Sequence, residues 1–181
     1  MSFKLKKEWG APMEETVIID NSDVVTIGDL VQCRNGNLEL ATAGAAVRGV
    51  VTGIKDKNGI SVWNTLATLG TATKTGSPSS GSVTVASDNE TVDLISAVIN
   101  VSPFAIYSAT VTGTMNTTTA SNKRGGWVNV DDEDSVNETT HSRTITDVRT
   151  LNNWGVDPDD STRMLVSIKH SEIFGDGTAQ A

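Results

Sequence analysis

The sequence has a single cysteine, few aromatic side chains and no long apolar run. Among its 181 residues there are one Cys, three Phe, one Tyr and four Trp. Cys33 has no second cysteine to pair with, and its apolar, strand-like surroundings predict a buried thiol rather than a nucleophile. No segment approaches the roughly 18 apolar residues of a membrane span, and the basic N-terminus lacks the apolar core of a signal peptide. We therefore expect no membrane partner and a product of a cytoplasm.

Positive charge is also scarce, which bears on the class of partner. The formal net charge is -8, with 14 Lys and Arg against 22 Asp and Glu. Nucleic acid is bound by clustered basic side chains that neutralise phosphates. Here the basic residues are scattered, apart from Lys4, Lys6 and Lys7. The sequence therefore predicts no nucleic-acid partner.

Thr, Ser, Val, Gly and Asn are abundant and predict strands and turns rather than helices. Val and Thr favour the pleated strand, whereas Gly and Asn supply turns. Asn35-Gly36 between two apolar segments predicts a tight hairpin, because both positions tolerate positive φ. Residues 147–154 are the one place where a short helical turn is expected. The predicted fold is all-β, or mainly β with a short helix: a β-barrel or β-sandwich with long loops and no repeat of fixed period.

The chain divides into three parts by pattern. Residues 1–15 lack a period and are broken by Gly and Pro, which predicts an N-terminal arm. Residues 16–175 are predicted to form a single β-rich domain, with a Ser/Thr/Gly-rich, loop-like insertion at about 61–87. Residues 176–181 are a polar tail. Within the arm, Phe3, Leu5 and Trp9 are predicted to bind a partner, because arms that become ordered on binding bury aromatic anchors.

No motif in the sequence predicts catalysis or metal binding. The Glu138–His141 spacing occurs once, among Thr residues that favour strand or loop. The acidic residues at 131–134 and around 157–160 lack the Gly and Glu of the twelve-residue calcium loop. A nucleophile elbow and a phosphate-binding glycine loop are both absent. We therefore predict no catalytic residues, no metal and no cofactor, and a protein that is not an enzyme.

Asn-X-Ser/Thr triplets occur at four positions and carry no prediction of glycosylation. With this much Ser, Thr and Asn, chance alone produces about three of them. They are Asn89, Asn100, Asn116 and Asn137.

Three segments carry a resemblance to a known family. Residues 24–54 (VVTIGDLVQC…ATAGAAVRGVVTGI) combine a Gly-Asp turn, short strands and a GVVTGI strand. Residues 100–113 (NVSPFAIYSATVTG) and 152–174 (NNWGVDPDDSTRMLVSIKHSEIF) are the others, with SNKRGGWVNVD between them. Together these segments resemble capsid decoration (cement) proteins and other head-associated structural proteins of tailed bacteriophages.

The resemblance implies a β-barrel or β-sandwich that binds the outer surface of a phage capsid. The implied partners are the major capsid protein and further copies of the chain, with a trimer favoured over a dimer. The implied location is the capsid surface of the virion, after assembly in the host cytoplasm. A decoration protein stabilises the shell because it adds interface that exists only in the assembled lattice.

Two alternatives remain open from the sequence. The chain could be another virion component, such as a head-fibre base, a tail-tube protein or an adaptor. It could instead be a carbohydrate-binding β-domain, with Trp63, Trp127 and Trp154 lining a groove. We expect these three Trp residues in the core instead.

Overall fold

The computed structural model describes residues 3–64, 70–113, 124–142 and 150–169. This part of the chain is all-β, as predicted: it contains fourteen strands in three sheets and no helix. The strands are β1 (Phe3–Glu8), β2 (Glu14–Ile18), β3 (Val24–Thr26), β4 (Leu30–Arg34), β5 (Asn37–Leu40), β6 (Gly49–Lys55), β7 (Thr73–Thr75), β8 (Ser82–Thr84), β9 (Ser96–Asn100), β10 (Ala105–Val111), β11 (Trp127–Asp132), β12 (Ser135–Ser142), β13 (Leu151–Asp157) and β14 (Asp160–Ile168).

Local sequence explains several of these strands and their turns. Asn35 and Gly36 both adopt positive φ, 52° and 89°, and connect β4 to β5 as the predicted tight hairpin. Along β13, buried and more exposed residues alternate in the way that a strand with one face on a core requires. The prediction of a helical turn at 147–154 is wrong for residues 151–154, because they are extended and belong to β13. Residues 143–149 lie outside the described part.

The first ring consists of β2, β9, β6, β4 and β5, paired in that order. Each of these neighbouring pairs is antiparallel. The ring closes through a parallel bridge between Ile19, directly after β2, and Leu38 in β5. There the Asp20 N–H donates to the Leu38 carbonyl oxygen at 2.8 Å. The five-stranded sheet is therefore curled into a barrel-like ring.

The second ring is formed by the last five strands of the chain. β12, β11, β13 and β14 are joined by antiparallel pairs, and β14 pairs antiparallel with β10. β10 and β12 close the ring as a parallel pair at Thr110↔Ser135 and Val111↔Val136. β1 is added outside the ring, antiparallel to β10.

The two rings share one strand topology. Counted in chain order, the five strands are β2, β4, β5, β6 and β9 in the first ring and β10 to β14 in the second. In each ring, the first strand pairs antiparallel with the fifth and parallel with the third, while the second pairs with the third and the fourth. In each, the register of the fourth strand shifts immediately before a glycine, Gly53 or Gly155. The prediction of no fixed-period repeat therefore missed a repeat of topology.

A buried aspartate follows each of those two glycines. Asp56 and Asp157 both accept a backbone N–H from two residues further on, at 2.9 Å from Asn58 and 3.0 Å from Asp159. The same turn device thus ends the fourth strand of both rings.

The Ser/Thr/Gly-rich insertion contains ordered strands. β7 and β8 lie within the predicted 61–87 segment and pair with each other and with β3 in a three-stranded sheet. Val83 and Val25, which face each other across β8 and β3, are fully buried. The composition of the segment suggested a loop, but its few apolar residues are enough to bind it to the core. Residues 65–69 lie outside the described part.

The segment predicted as an N-terminal arm is part of the folded domain. Residues 3–8 form β1 on the second ring, and residues 14–18 begin the first ring. Phe3 is only 2% exposed and belongs to the buried apolar cluster, which includes residues of both rings. The rings also meet through the backbone, where the Leu30 N–H donates to the Glu133 carbonyl oxygen at 2.7 Å. The predicted tail, 176–181, lies outside the described residues.

Candidate interaction surfaces

The acidic clusters serve as turns within the fold. Asp132 Oδ1 accepts from the Asp134 N–H at 3.1 Å and from the Ser135 hydroxyl at 2.6 Å, in the turn between β11 and β12. No group of three or more His, Cys, Asp and Glu in the described ranges could hold a metal ion. Glu138 is buried on β12, while the side chain of His141 and the whole of His170 lie outside the described part.

The predicted partner-binding residues divide into one core residue and two surface residues. Phe3 is buried, which corrects its assignment as a binding anchor: β1 needs it for docking. Leu5 and Trp9 are 51% and 46% exposed. The Lys7 ammonium lies 4.6 Å from the centroid of the Trp9 ring, a cation–π arrangement that orients the indole.

A further aromatic residue lies at the same end of the β1–β10 pair. Glu8 pairs with Ala105, so Trp9 and Phe104 both come directly next to this last pair. Phe104 is 56% exposed. Phe104 was not among the predicted partner-binding residues, because its place beside Trp9 follows from the β1–β10 register. We call the exposed side chains of Lys4, Leu5, Lys7, Trp9 and Phe104 the β1 surface.

An ion pair with one buried partner fixes β1 in place. The Lys6 ammonium lies 3.0 Å from both Asp157 and Asp159, and Asp157 is 1% exposed. Burial alone would raise the pKa of Asp157. Hydrogen bonds from Ser108, the Asp159 N–H and Lys6 outweigh that effect and lower the pKa below its ordinary value. The β1 surface is therefore presented on a strand that is anchored at Phe3 and Lys6.

None of the three Trp residues expected in the core is fully buried. Trp63 is half-buried and packs against the buried apolar cluster, Trp127 is half-buried, and Trp154 is 39% exposed, so the prediction of core placement is wrong for Trp154. The Trp63 indole N–H donates to the Gly76 carbonyl oxygen, and that of Trp154 to the Ser167 hydroxyl at 2.9 Å. The Lys169 ammonium lies 5.0 Å from the Trp127 ring. The indole N–H groups of Trp63 and Trp154 therefore have hydrogen-bond partners while the rings stay partly at the surface.

Cys33 differs from its prediction in the same way. It lies on β4 as an exposed free thiol, whereas the apolar sequence around it predicted burial. Its neighbour Val31 takes the buried position, and the half-exposed Gln32 comes between them. Partial burial by neighbouring groups raises the pKa of the Cys33 thiol, which makes the thiolate scarcer at neutral pH.

A buried carboxyl lies where the two rings meet. Asp29, in the turn after Gly28, is 5% exposed and accepts the Thr26 N–H at 2.7 Å. Burial raises its pKa to about 7; the Thr26 hydrogen bond opposes this, and the nearby Glu133 and Asp134 reinforce it. Asp29 is therefore close to half-protonated at neutral pH.

Tyr107 carries a buried hydroxyl that has no hydrogen-bond partner within the described part of the chain. Replacing it, as Tyr107→Phe, removes an unsatisfied polar atom and keeps the ring. We expect the free energy of unfolding to stay the same or rise by up to about 1 kcal/mol, measured by urea denaturation. A loss of more than about 1 kcal/mol would show that the hydroxyl is bonded in solution.

The described part of the chain has no helix that is both long and apolar enough to cross a membrane. Comparisons of the chain with models of protein families, with curated proteins and with solved structures find no match.

Proposed function

We propose that the chain is a structural virion protein that binds the outer surface of a phage capsid and stabilises it. The observation that carries this proposal is the β1 surface. Large apolar side chains are exposed there beside lysines, on a protein whose net charge is -8. Exposed large apolar side chains, aromatic ones among them, are typical of sites that bind another protein. The resemblance of residues 24–54, 100–113 and 152–174 to capsid decoration proteins supports the choice of partner.

In this function the protein acts by binding through its surface and needs no catalytic site. A clamp across neighbouring capsid subunits binds the assembled lattice and not the separate subunits, so its binding energy stabilises the shell. Leu5, Trp9 and Phe104 provide apolar anchors, and Lys4 and Lys7 complement acidic capsid groups. The proposal includes a small homo-oligomer, with a trimer favoured and a dimer as the alternative, whose mass light scattering measures.

The double variant Leu5→Ser with Trp9→Ser tests the β1 surface. Both side chains are about half exposed, so the fold should persist, with a melting temperature within a few degrees of the wild type. Loss of a Trp anchor commonly costs 2 kcal/mol or more of binding energy, so we expect the capsid Kd to rise by about 30-fold. The measurement is co-sedimentation with expanded capsids of the phage that encodes the chain.

Ile60→Ser is the matched control for this experiment. Ile60 is 48% exposed, like Leu5 and Trp9, but it lies in the turn after β6 and away from β1. It should bind capsids like the wild type. Failure of the wild type to co-sediment at stoichiometric ratios would overturn the function, whereas equal loss in both variants would overturn the role of the β1 surface.

Exposure of Trp154 favours carbohydrate binding as the second candidate. Its ring is held on β13 by Ser167, and Asn152 donates to the same hydroxyl at 3.1 Å. Exposed aromatic faces with adjacent amides suit the apolar face of a sugar. A glycan array that gives a signal with the wild type and none with Trp154→Ala would favour this candidate over capsid binding.

A further inference from the structure

The two rings differ at one strand edge. In the second ring, one edge of β10 pairs with β1 along residues 105–109 and then with β12 at 110–111. β2 has the same position in the first ring and pairs with β9 along its whole length. Its other edge, however, is paired only after the strand, at the bridge from Ile19 to Leu38. Among the described residues, no strand occupies the place on β2 that β1 takes on β10.

The backbone groups at this edge of β2 point outwards at alternate residues. The Ile19 N–H donates towards β9, to the Ile95 carbonyl oxygen at 3.1 Å, and the Asp20 N–H donates the other way, to Leu38. Because directions alternate along a strand, the N–H and C=O of Glu14 and Thr16 face the open edge, whereas the Ile18 C=O faces Leu38 at the parallel bridge. Glu14 and Thr16 are exposed. The edge is therefore an accessible row of donors and acceptors.

The resident strand on β10 shows what kind of segment such an edge holds. β1 is extended, carries three lysines, and inserts one apolar side chain, Phe3, into the core. The strand β2 has two carboxylates and no basic residue. Glu15 pairs with Arg48, while exposed Glu14 has a weak contact with the Thr52 hydroxyl at 3.4 Å. The charge at this edge favours a basic strand.

A second copy of β2 fits this edge less well. Antiparallel pairing of two β2 strands about Thr16 would place four carboxylates, Glu14 and Glu15 from each copy, in one five-residue ladder. In that ladder the two Glu15 side chains would be diagonal neighbours, about 7–8 Å apart, and their like charge opposes pairing. A basic segment from a different protein meets no such repulsion.

We propose that the open edge of β2 accepts an extended, basic and apolar segment of a partner protein, which adds to the first ring as an antiparallel strand. Main-chain hydrogen bonds to Glu14 and Thr16 supply affinity, and the Glu14 side chain selects basic side chains. This site is separate from the β1 surface and does not depend on the capsid proposal.

The test uses full-length protein and a labelled peptide of residues 1–9, MSFKLKKEW, as a basic strand. Thr16→Pro removes the outward N–H and blocks pairing but breaks no bond to β9, and proline is tolerated on edge strands. Thr16→Val keeps the N–H and is the matched control. We expect the wild type and Thr16→Val to bind alike in fluorescence anisotropy and the Kd of Thr16→Pro to rise about tenfold or more. A peptide with its lysines replaced by glutamate should also bind more weakly.

Several results would overturn the proposal. The first is no binding of the peptide by the wild type. The second is equal binding by Thr16→Pro, which would mean that the peptide exchanges with the resident β1 strand. The third is a concentration-dependent dimer that Thr16→Pro abolishes. If Thr16→Pro does not fold, backbone amide hydrogen exchange of the wild type, with and without the peptide, tests the proposal instead. The Glu14 and Thr16 amides must then exchange rapidly alone and slowly with the peptide, and unchanged exchange would refute the site.

Discussion

Asn89→Asp is expected to lower the free energy of unfolding at pH 7 by about 3 kcal/mol. Asn89 is fully buried, and its Nδ2 donates to the carbonyl oxygens of Ile19 at 2.7 Å and Ile95 at 3.0 Å. Its Oδ1 accepts the Ile95 N–H at 2.9 Å. An ionised aspartate has the same shape but cannot donate, so it would leave two carbonyl oxygens facing a buried negative charge.

This side chain has a large effect because of its place in the first ring. Ile19 follows β2 at the ring closure, and Ile95 immediately precedes β9. Asn89 therefore connects the first and last strands of the ring from outside both. The loss corresponds to a melting temperature lower by roughly 6–12 °C for a chain of this size, which differential scanning calorimetry measures.

Asn64→Asp is the control for Asn89→Asp, because it makes the same chemical change at an exposed position. It should stay within about 0.5 kcal/mol of the wild type. The account of the ring closure would be wrong if Asn89→Asp were as stable as this control.

Asp29→Asn should make the protein more stable at pH 8, by up to about 4 kcal/mol. In the folded protein, burial raises the pKa of Asp29 from 3.8 to about 7. The folded state therefore holds a proton that the unfolded state has released between about pH 4 and pH 7. Stability from this group is complete below about pH 4 and is lost as the pH rises through 7. The asparagine amide is neutral at every pH, and its oxygen can still accept the Thr26 N–H.

The measurement is the free energy of unfolding in urea from pH 4 to pH 8. The wild type should lose stability across this window relative to Asp29→Asn, and the two should agree within about 1 kcal/mol at pH 4. Asp88→Asn, at an exposed position, should follow the wild-type slope. Parallel curves for wild type and Asp29→Asn would show that Asp29 is not buried at the contact between the rings.

Fold class and many strands could be predicted because their signals are local. The Asn35-Gly36 hairpin needs two residues with positive φ, and Asn and Gly are the residue types that tolerate this conformation. The alternation of Leu38 and Leu40 in β5 likewise predicts a strand without knowledge of its partner. The repeat of topology gave no such signal, because it resides in which strands pair and the two rings share no fixed sequence period.

The errors came from residues whose environment is set by distant parts of the chain. Phe3 lies in a segment without a pattern, and only its pairing with β10 makes it a core residue. Trp154 lies at the register shift between Asn153 and Gly155, on the face of β13 that points away from the core. Of the predicted site, Leu5 and Trp9 remain at the surface, and Phe104 joins them because Ala105 pairs with Glu8. Its position could not be inferred without that register.

Electron microscopy of phage particles that carry the protein tests the central claim most directly. The account predicts density for both five-stranded rings on the outer face of the expanded shell, with the β1 surface turned towards capsid subunits. Density at the tail, inside the shell or at no fixed position on the particle would contradict it.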